Sequence, residues 1–200
     1  NSFTEIDFDS LPNSFVIKCN HGCKWQLIIK NKKNFLDTAP LFKAAKHQIE
    51  NWLEQEFWCY EGFELQYKYI EPKILIEPLL REDINMTSIN IDVYCFNGEP
   101  KIFIEFFDKD KMSIWNEKFN SLDNIFNFSE QNIITQTDNN IKKAFELSKI
   151  LAKDFNFVRV DFMIYNNKLY FEELTFSPYS GFKKFDKKWN RRLGEWLKLK

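Results

Sequence analysis

Two hundred residues suffice for one domain with a full core or for two small lobes. Twenty-eight Lys and Arg against 29 Asp and Glu leave a net charge of −1, so no global field draws the chain to nucleic acid or anionic lipid. With 44% hydrophobic and 18% aromatic residues, 22 of them Phe, the composition is that of a soluble globular protein. Five glycines and two histidines leave no room for G-x-G-x-x-G, a P-loop, a G-x-S-x-G elbow or a His-rich metal cage.

Four cysteines are too sparse for a disulfide scaffold, and no apolar run approaches the roughly 20 residues of a membrane span. No signal peptide opens the chain, so a cytoplasmic location with reduced thiols is expected. Cys19-x-His21-x-Cys23 lacks the C-x-x-C spacing and the second ligand pair of a zinc site. The chain starts at Asn1 rather than Met, which leads us to expect a domain of something longer.

In chain order, Phe15–Lys18 and Trp25–Lys30 read as strands joined by a polar loop, Cys19–Lys24. Thr38 and Pro40 open a helix carrying Leu41, Ala44, Ala45, Ile49, Trp52, Leu53 and Phe57 at helical spacing. Lys73–Glu77 is a short strand closed by Pro78. Ile89–Phe96, the Asn97-Gly98 turn and Lys101–Phe107 form a hairpin. Residues 108–137 lack a period and are expected to run over the surface. Asp138 caps a helix with Ile141, Ala144, Phe145, Ser148, Leu151 and Ala152 on one face. A second hairpin follows, Val158–Tyr165 and Leu169–Phe176, and Arg191–Leu199 forms an amphipathic tail. The fold class is α+β.

The second hairpin carries the chemistry. Val158, Val160, Phe162 and Ile164 alternate toward the core and set Arg159 and Asp161 together on the other face. A two-residue Asn166-Asn167 turn pairs Asp161 with Glu172, whereas a three-residue loop through Lys168 pairs it with Glu173 and Arg159 with Thr175. Under either register two carboxylates lie about 5 Å apart. They repel by about 3 kcal/mol at an effective dielectric near 20. A proton, a basic side chain or a divalent cation must offset that. Arg159 on a surface hairpin and an oxygen-ligand Mg²⁺ site both satisfy the requirement.

Four segments, Leu11–Gly22, Ile74–Leu80, Asp92–Gly98, and Phe157–Asp161 with Tyr170–Pro178, resemble in this order the ATP-grasp fold. Within it they resemble the TupA-like family, bacterial proteins of teichuronopeptide and other cell-surface polysaccharide synthesis. The resemblance implies two α+β lobes clamping ATP, residues 1–80 forming a truncated N-terminal small lobe and 81–200 the large one. It implies that Lys18 grips phosphates while the loop folds over them, with Asn20, His21, Gly22 and Lys24 contributing. Glu77 and Leu79 match the adenine hinge, and Glu82 or Asp83 the ribose contact. Asp161 and Glu173 match the Mg²⁺ ligands, with Thr175 where the fold's usual Asn stands. Arg159 matches the arginine that stabilises the transferring phosphate. Tyr94 replaces the family's basic residue, a charge that Lys24 could supply. The match also favours the three-residue hairpin loop.

The implied activity is an ATP- and Mg²⁺-dependent carboxylate–amine ligase acting on a small molecule or glycan. Its acceptor would be a uronic acid of a capsular or cell-wall polysaccharide, joined to an amino acid or amino alcohol. The alternatives are a nucleotide- or sugar-binding module fused to a glycosyltransferase, and a phosphotransferase acting on a sugar or alcohol. No nucleic acid or membrane span enters any of these readings.

Overall fold

The computed structural model describes residues 2–60, 64–80, 88–108, 111–122, 125 and 139–199. The chain divides into two units, Asn1–Ile84 and Asn85–Lys200.

In the first unit, β1 (Phe15–Cys19) is the centre of an antiparallel sheet ordered β2-β1-β3, with β2 spanning Gln26–Ile29 and β3 Ile74–Pro78. Strand alternation turns Phe15, Ile17 and Cys19 onto one face, where they are buried with Phe3, Phe35, Ala45 and Ile49. Lys18 is left on the other face. Two helices cover the buried side. One, α1 (Lys32–Asp37), has Asn31 as its cap, whose side chain accepts from Asn34 N at 2.8 Å. It is too short to show a period, and the sequence reading missed it. The other, α2 (Ala39–Glu54), begins with Pro40 in its first turn and ends before Phe57. Phe57 belongs to a separate short turn, α3 (Phe57–Tyr60), and Leu41 is exposed rather than on the buried face.

The second unit is a five-stranded antiparallel sheet ordered β6-β5-β4-β7-β8. Its strands are β4 (Ile89–Phe96), β5 (Glu99–Asp108), β6 (Lys111–Asn116), β7 (Phe157–Tyr165) and β8 (Lys168–Thr175). Strand β6 corrects the expectation of a surface excursion from residue 108: Met112 and Ile114 point to one face and Ser113 and Trp115 to the other, all four buried. Helix α4 (Asn139–Ala152) covers one face through Ile141, Ala144 and Ala152, packed on Ile91, Val93, Val158 and Val160. Leu151, expected on that face, is partly exposed, and the expected cap Asp138 lies outside the described residues. On the opposite face, Trp189 and Leu193 of α5 (Lys187–Trp196) pack with Tyr94, Phe96, Ile102 and Ile104. Both sheet faces are therefore apolar over much of their area, and charged residues on β7 must share a face with a core.

The Asn97-Gly98 turn does more than reverse the chain. Asn97 N–H donates to Asn156 O at 2.8 Å and its side-chain amide to Trp196 O at 2.7 Å, tying the residue before β7 and the last residue of α5 to one hairpin.

Candidate active site

The β7–β8 hairpin turns through Asn166 and Asn167, both left-handed (φ 50° and 56°), a two-residue connection suited to hairpin twist. The three-residue loop is therefore not used. The pairing it was invoked for occurs nonetheless: Asp161 lies opposite Glu173, Arg159 opposite Thr175 and Val160 opposite Leu174. A register shift between Asp161 and Phe162 accomplishes this. Phe162 pairs with Phe171, so Glu172 is the extra residue of a β-bulge. The bulge re-aims Glu173 onto the face of Asp161.

Strand β4 adds a third carboxylate that the sequence reading did not single out as a site residue. Asp92 is directly opposite Asp161, and Tyr94 opposite Arg159. Asp92, Asp161 and Glu173 thus stand in register across β4, β7 and β8, the first two only 9% and 5% exposed. Arg159 Nε donates to Asp161 Oδ1 at 2.7 Å and Nη2 to Oδ2 at 2.6 Å, a two-pronged pair. Its Nε is also 3.5 Å from Asp92 Oδ2. The Thr175 hydroxyl lies 2.8 Å from Asp161 Oδ2 and 3.2 Å from Glu173 Oε1, bridging the two acids.

The electrostatics follow from this crowding. Burial, opposed by Arg159 and aided by Asp161, Glu172 and Glu173, pushes the Asp92 carboxyl up to about 7. Burial and then Asp161 hold Glu173 above the usual carboxylate range. Burial opposes the charge on Arg159, but its hydrogen bonds to Asp161 and the charge of Asp92 outweigh that and keep it protonated. Tyr94, 3% exposed, is raised by burial and by Asp92.

A second missed element borders the cluster. After β8 the chain makes a short 3₁₀ turn, Pro178–Gly181, in which Tyr179 and Ser180 are both left-handed at φ 53°. That backbone is sparsely populated for residues with side chains. It sets the Tyr179 ring 5.7 Å from the Arg159 guanidinium and 4.4 Å from Lys183 Nζ. Burial and then Asp92 raise the Tyr179 hydroxyl. Burial lowers the Lys183 ammonium while Asp92 opposes the shift. The available signals were the Ser177-Pro178 and Ser180-Gly181 turn dipeptides following the acidic strand.

In the first unit, Lys18 ion-pairs with Glu77 across β1 and β3, uniting two residues given separate roles from the sequence. Leu79 N–H donates to Ser14 O at 3.2 Å. The Asn20 side chain is engaged at both ends, donating to Glu71 O at 3.0 Å and accepting from Lys73 N at 2.7 Å, while its own N–H donates to Lys73 O. It works as a clip between the loop and the segment before β3. His21 is 4% exposed, with Nε2 2.9 Å from Trp52 O and its ring edge-on to Trp25. The His21 side chain is thus turned into the unit. Gly22 lies against the Trp25 ring, and Lys24 is exposed and left-handed at φ 62°. Glu82 and Asp83 lie outside the described residues.

The donor set fits a hard cation. Three carboxylates stand in register beside one guanidinium, a donor set of oxygens alone. Among the described residues no three acidic, imidazole or thiol groups converge enough to hold an ion by themselves. A magnesium ion here would take one or two carboxylates and complete its shell with phosphate and water oxygens, its usual habit. Asp161 and Glu173, opposite each other on β7 and β8, could supply such carboxylate oxygens.

No curated protein matches the chain. Among solved structures, the chain is similar to D-Ala–D-Ala ligase from Helicobacter pylori, at 15% identity and a TM-score of 0.46 over 94% of this chain. It spans 50% of that ligase's length. The sequence model described as TupA-like ATPgrasp matches residues 1–198, so the chain belongs to the TupA-like ATP-grasp family.

Proposed function

We propose that the protein is an ATP-dependent carboxylate–amine ligase. The observation that carries this reading is the pairing of buried Asp161 with Glu173 across β7 and β8, with Arg159 beside it, in a chain of an ATP-grasp family. A carboxylate oxygen of the acceptor attacks the γ-phosphorus of ATP, and the bond from that phosphorus to the ADP oxygen breaks. An amine then attacks the carbonyl carbon of the acyl phosphate. The C–N bond forms, the C–O bond to phosphate breaks, and the amine nitrogen loses a proton. Asp161 and Glu173 would hold a magnesium ion, which would supply charge neutralisation at the phosphates. Arg159, planar and permanently charged, stabilises the charge that develops on the transferring phosphoryl oxygens. Lys18 is assigned to the nucleotide phosphates, with Glu77 and Leu79 at the adenine. The acceptor is assigned as a uronic acid of a bacterial capsular or cell-wall polysaccharide, and the amine as an amino acid or amino alcohol. We assign the reaction to the cytoplasm, where ATP and reduced thiols coexist.

ADP release by the intact protein, with carboxylate-bearing glycans and amines supplied together, tests this. Release that needs both substrates, with ¹⁸O passing from the carboxylate into phosphate, is expected. Arg159→Met should lower kcat by about 10²–10³-fold, the cost of removing one preorganised charge stabiliser. Nucleotide binding without turnover on any such pair would contradict the ligase reading.

A further inference from the structure

Asp161 is engaged by more close partners than Asp92. Asp161 gives both oxygens to the guanidinium, and its Oδ2 accepts from Thr175 as well. A carboxylate offers about four lone-pair sites, so about one remains on Asp161 for any other group. A cation cannot share those oxygens with a guanidinium 2.6 Å away without strong repulsion. Asp92, in contrast, has Arg159 as its sole ion-pair partner among the described residues, at 3.5 Å. The two carboxylates are opposite each other on adjacent strands, and Arg159 is two residues from Asp161 on the same face. Passing from one acid to the other therefore needs side-chain rotation and no movement of the sheet. The Tyr179 ring, 5.7 Å from the guanidinium, borders its position.

We infer that Asp92 is a second seat for Arg159, a positioning residue that takes the guanidinium when a divalent cation takes Asp161. The inference rests on the cation role given to Asp161 and Glu173. Without a cation, Arg159 neutralises Asp161 and keeps the site closed to other charges. With one, Asp92 keeps Arg159 in the cluster, charged and beside the phosphates instead of released to solvent. Asp92 does so without ligating the cation.

Manganese(II) binding to the intact protein, read by electron paramagnetic resonance with a non-hydrolysable ATP analogue present, tests this with Asp92→Asn, Arg159→Ala and the double variant. If Asp92 acts through Arg159, Asp92→Asn weakens manganese binding about tenfold with Arg159 present and less than about threefold once Arg159 is Ala. Equal weakening in both backgrounds would mean that Asp92 acts by its charge alone, and would overturn the inference. The wild-type protein gives a second reading that no variant's folding can confuse. Magnesium with the analogue should shift the Arg159 Nε–H resonance, and a resonance unmoved at saturation would equally overturn it. Manganese binding that is absent, or unchanged in Asp161→Asn, would instead remove the cation reading underneath, and this inference with it.

Discussion

A methyl group at Gly22 would lie 2.3 Å from the Trp25 ring. Trp25 cannot retreat cheaply, because it stacks on Trp52 at 6.1 Å and meets His21 and Phe57 edge-on. Gly22→Ala is therefore expected to destabilise the first unit by about 1–3 kcal/mol through overpacking, read by urea unfolding followed by tryptophan fluorescence. The thiols offer another residue-scale test. Burial raises Cys19 to about 11 and Cys95 to about 12, so neither carries appreciable thiolate near neutral pH. Exposed Cys59 should react with Ellman's reagent in the native protein, and Cys19 and Cys95 only after unfolding. Single residues also mark what the sequence could and could not show. Arg159 and Asp161 were readable because strand alternation alone puts them on one face. Asp92 was not, because its importance comes from lying opposite Asp161 on a strand some seventy residues away. His21 suggested a ligand-facing role by its loop position, yet the Trp25–Trp52 stack draws it inward.

At the scale of elements, the β7–β8 hairpin shows why turn chemistry alone misleads. Asn166-Asn167 specifies a two-residue turn, which without interruption would set Glu172 opposite Asp161; the bulge then restores Glu173 to that place. Nothing local in the sequence announces a bulge, whose position depends on how Phe162 and Phe171 meet across the strands. The expected consequence is a contrast between neighbours. Glu173→Gln should weaken magnesium-dependent nucleotide binding by about tenfold or more, as loss of a cation ligand does, and Glu172→Gln by much less, both read by calorimetry. The β4–β5 turn is subject to a different constraint. Gly98 is left-handed at φ 80°, and an added Cβ would meet the Lys153 backbone at 3.2 Å. Gly98→Ala should cost the second unit about 1–2 kcal/mol, the penalty of a side chain in that region, measurable by urea unfolding. Long periodic elements such as α2 and α4 were readable from spacing. Short ones such as α1 were not, and β6, buried on both faces, gives no polar alternation to read.

For the whole molecule, the near-zero net charge conceals a concentrated arrangement in the second unit, where acids and one guanidinium are buried on a sheet face shared with an aromatic core. The shortage of glycine has a matching consequence. A phosphate cradle made mainly of glycine backbone is not available, so under the proposed function charge on side chains and on a cation would do that work. Both properties were visible in composition, but only the strand order β4-β7-β8 explains how they combine. Calorimetric titration of the intact protein with a non-hydrolysable ATP analogue, with and without magnesium, tests this account most directly. It predicts saturable, magnesium-dependent binding that Asp161→Asn weakens by about tenfold or more. Binding of equal strength without magnesium, or unchanged in Asp161→Asn, would contradict it.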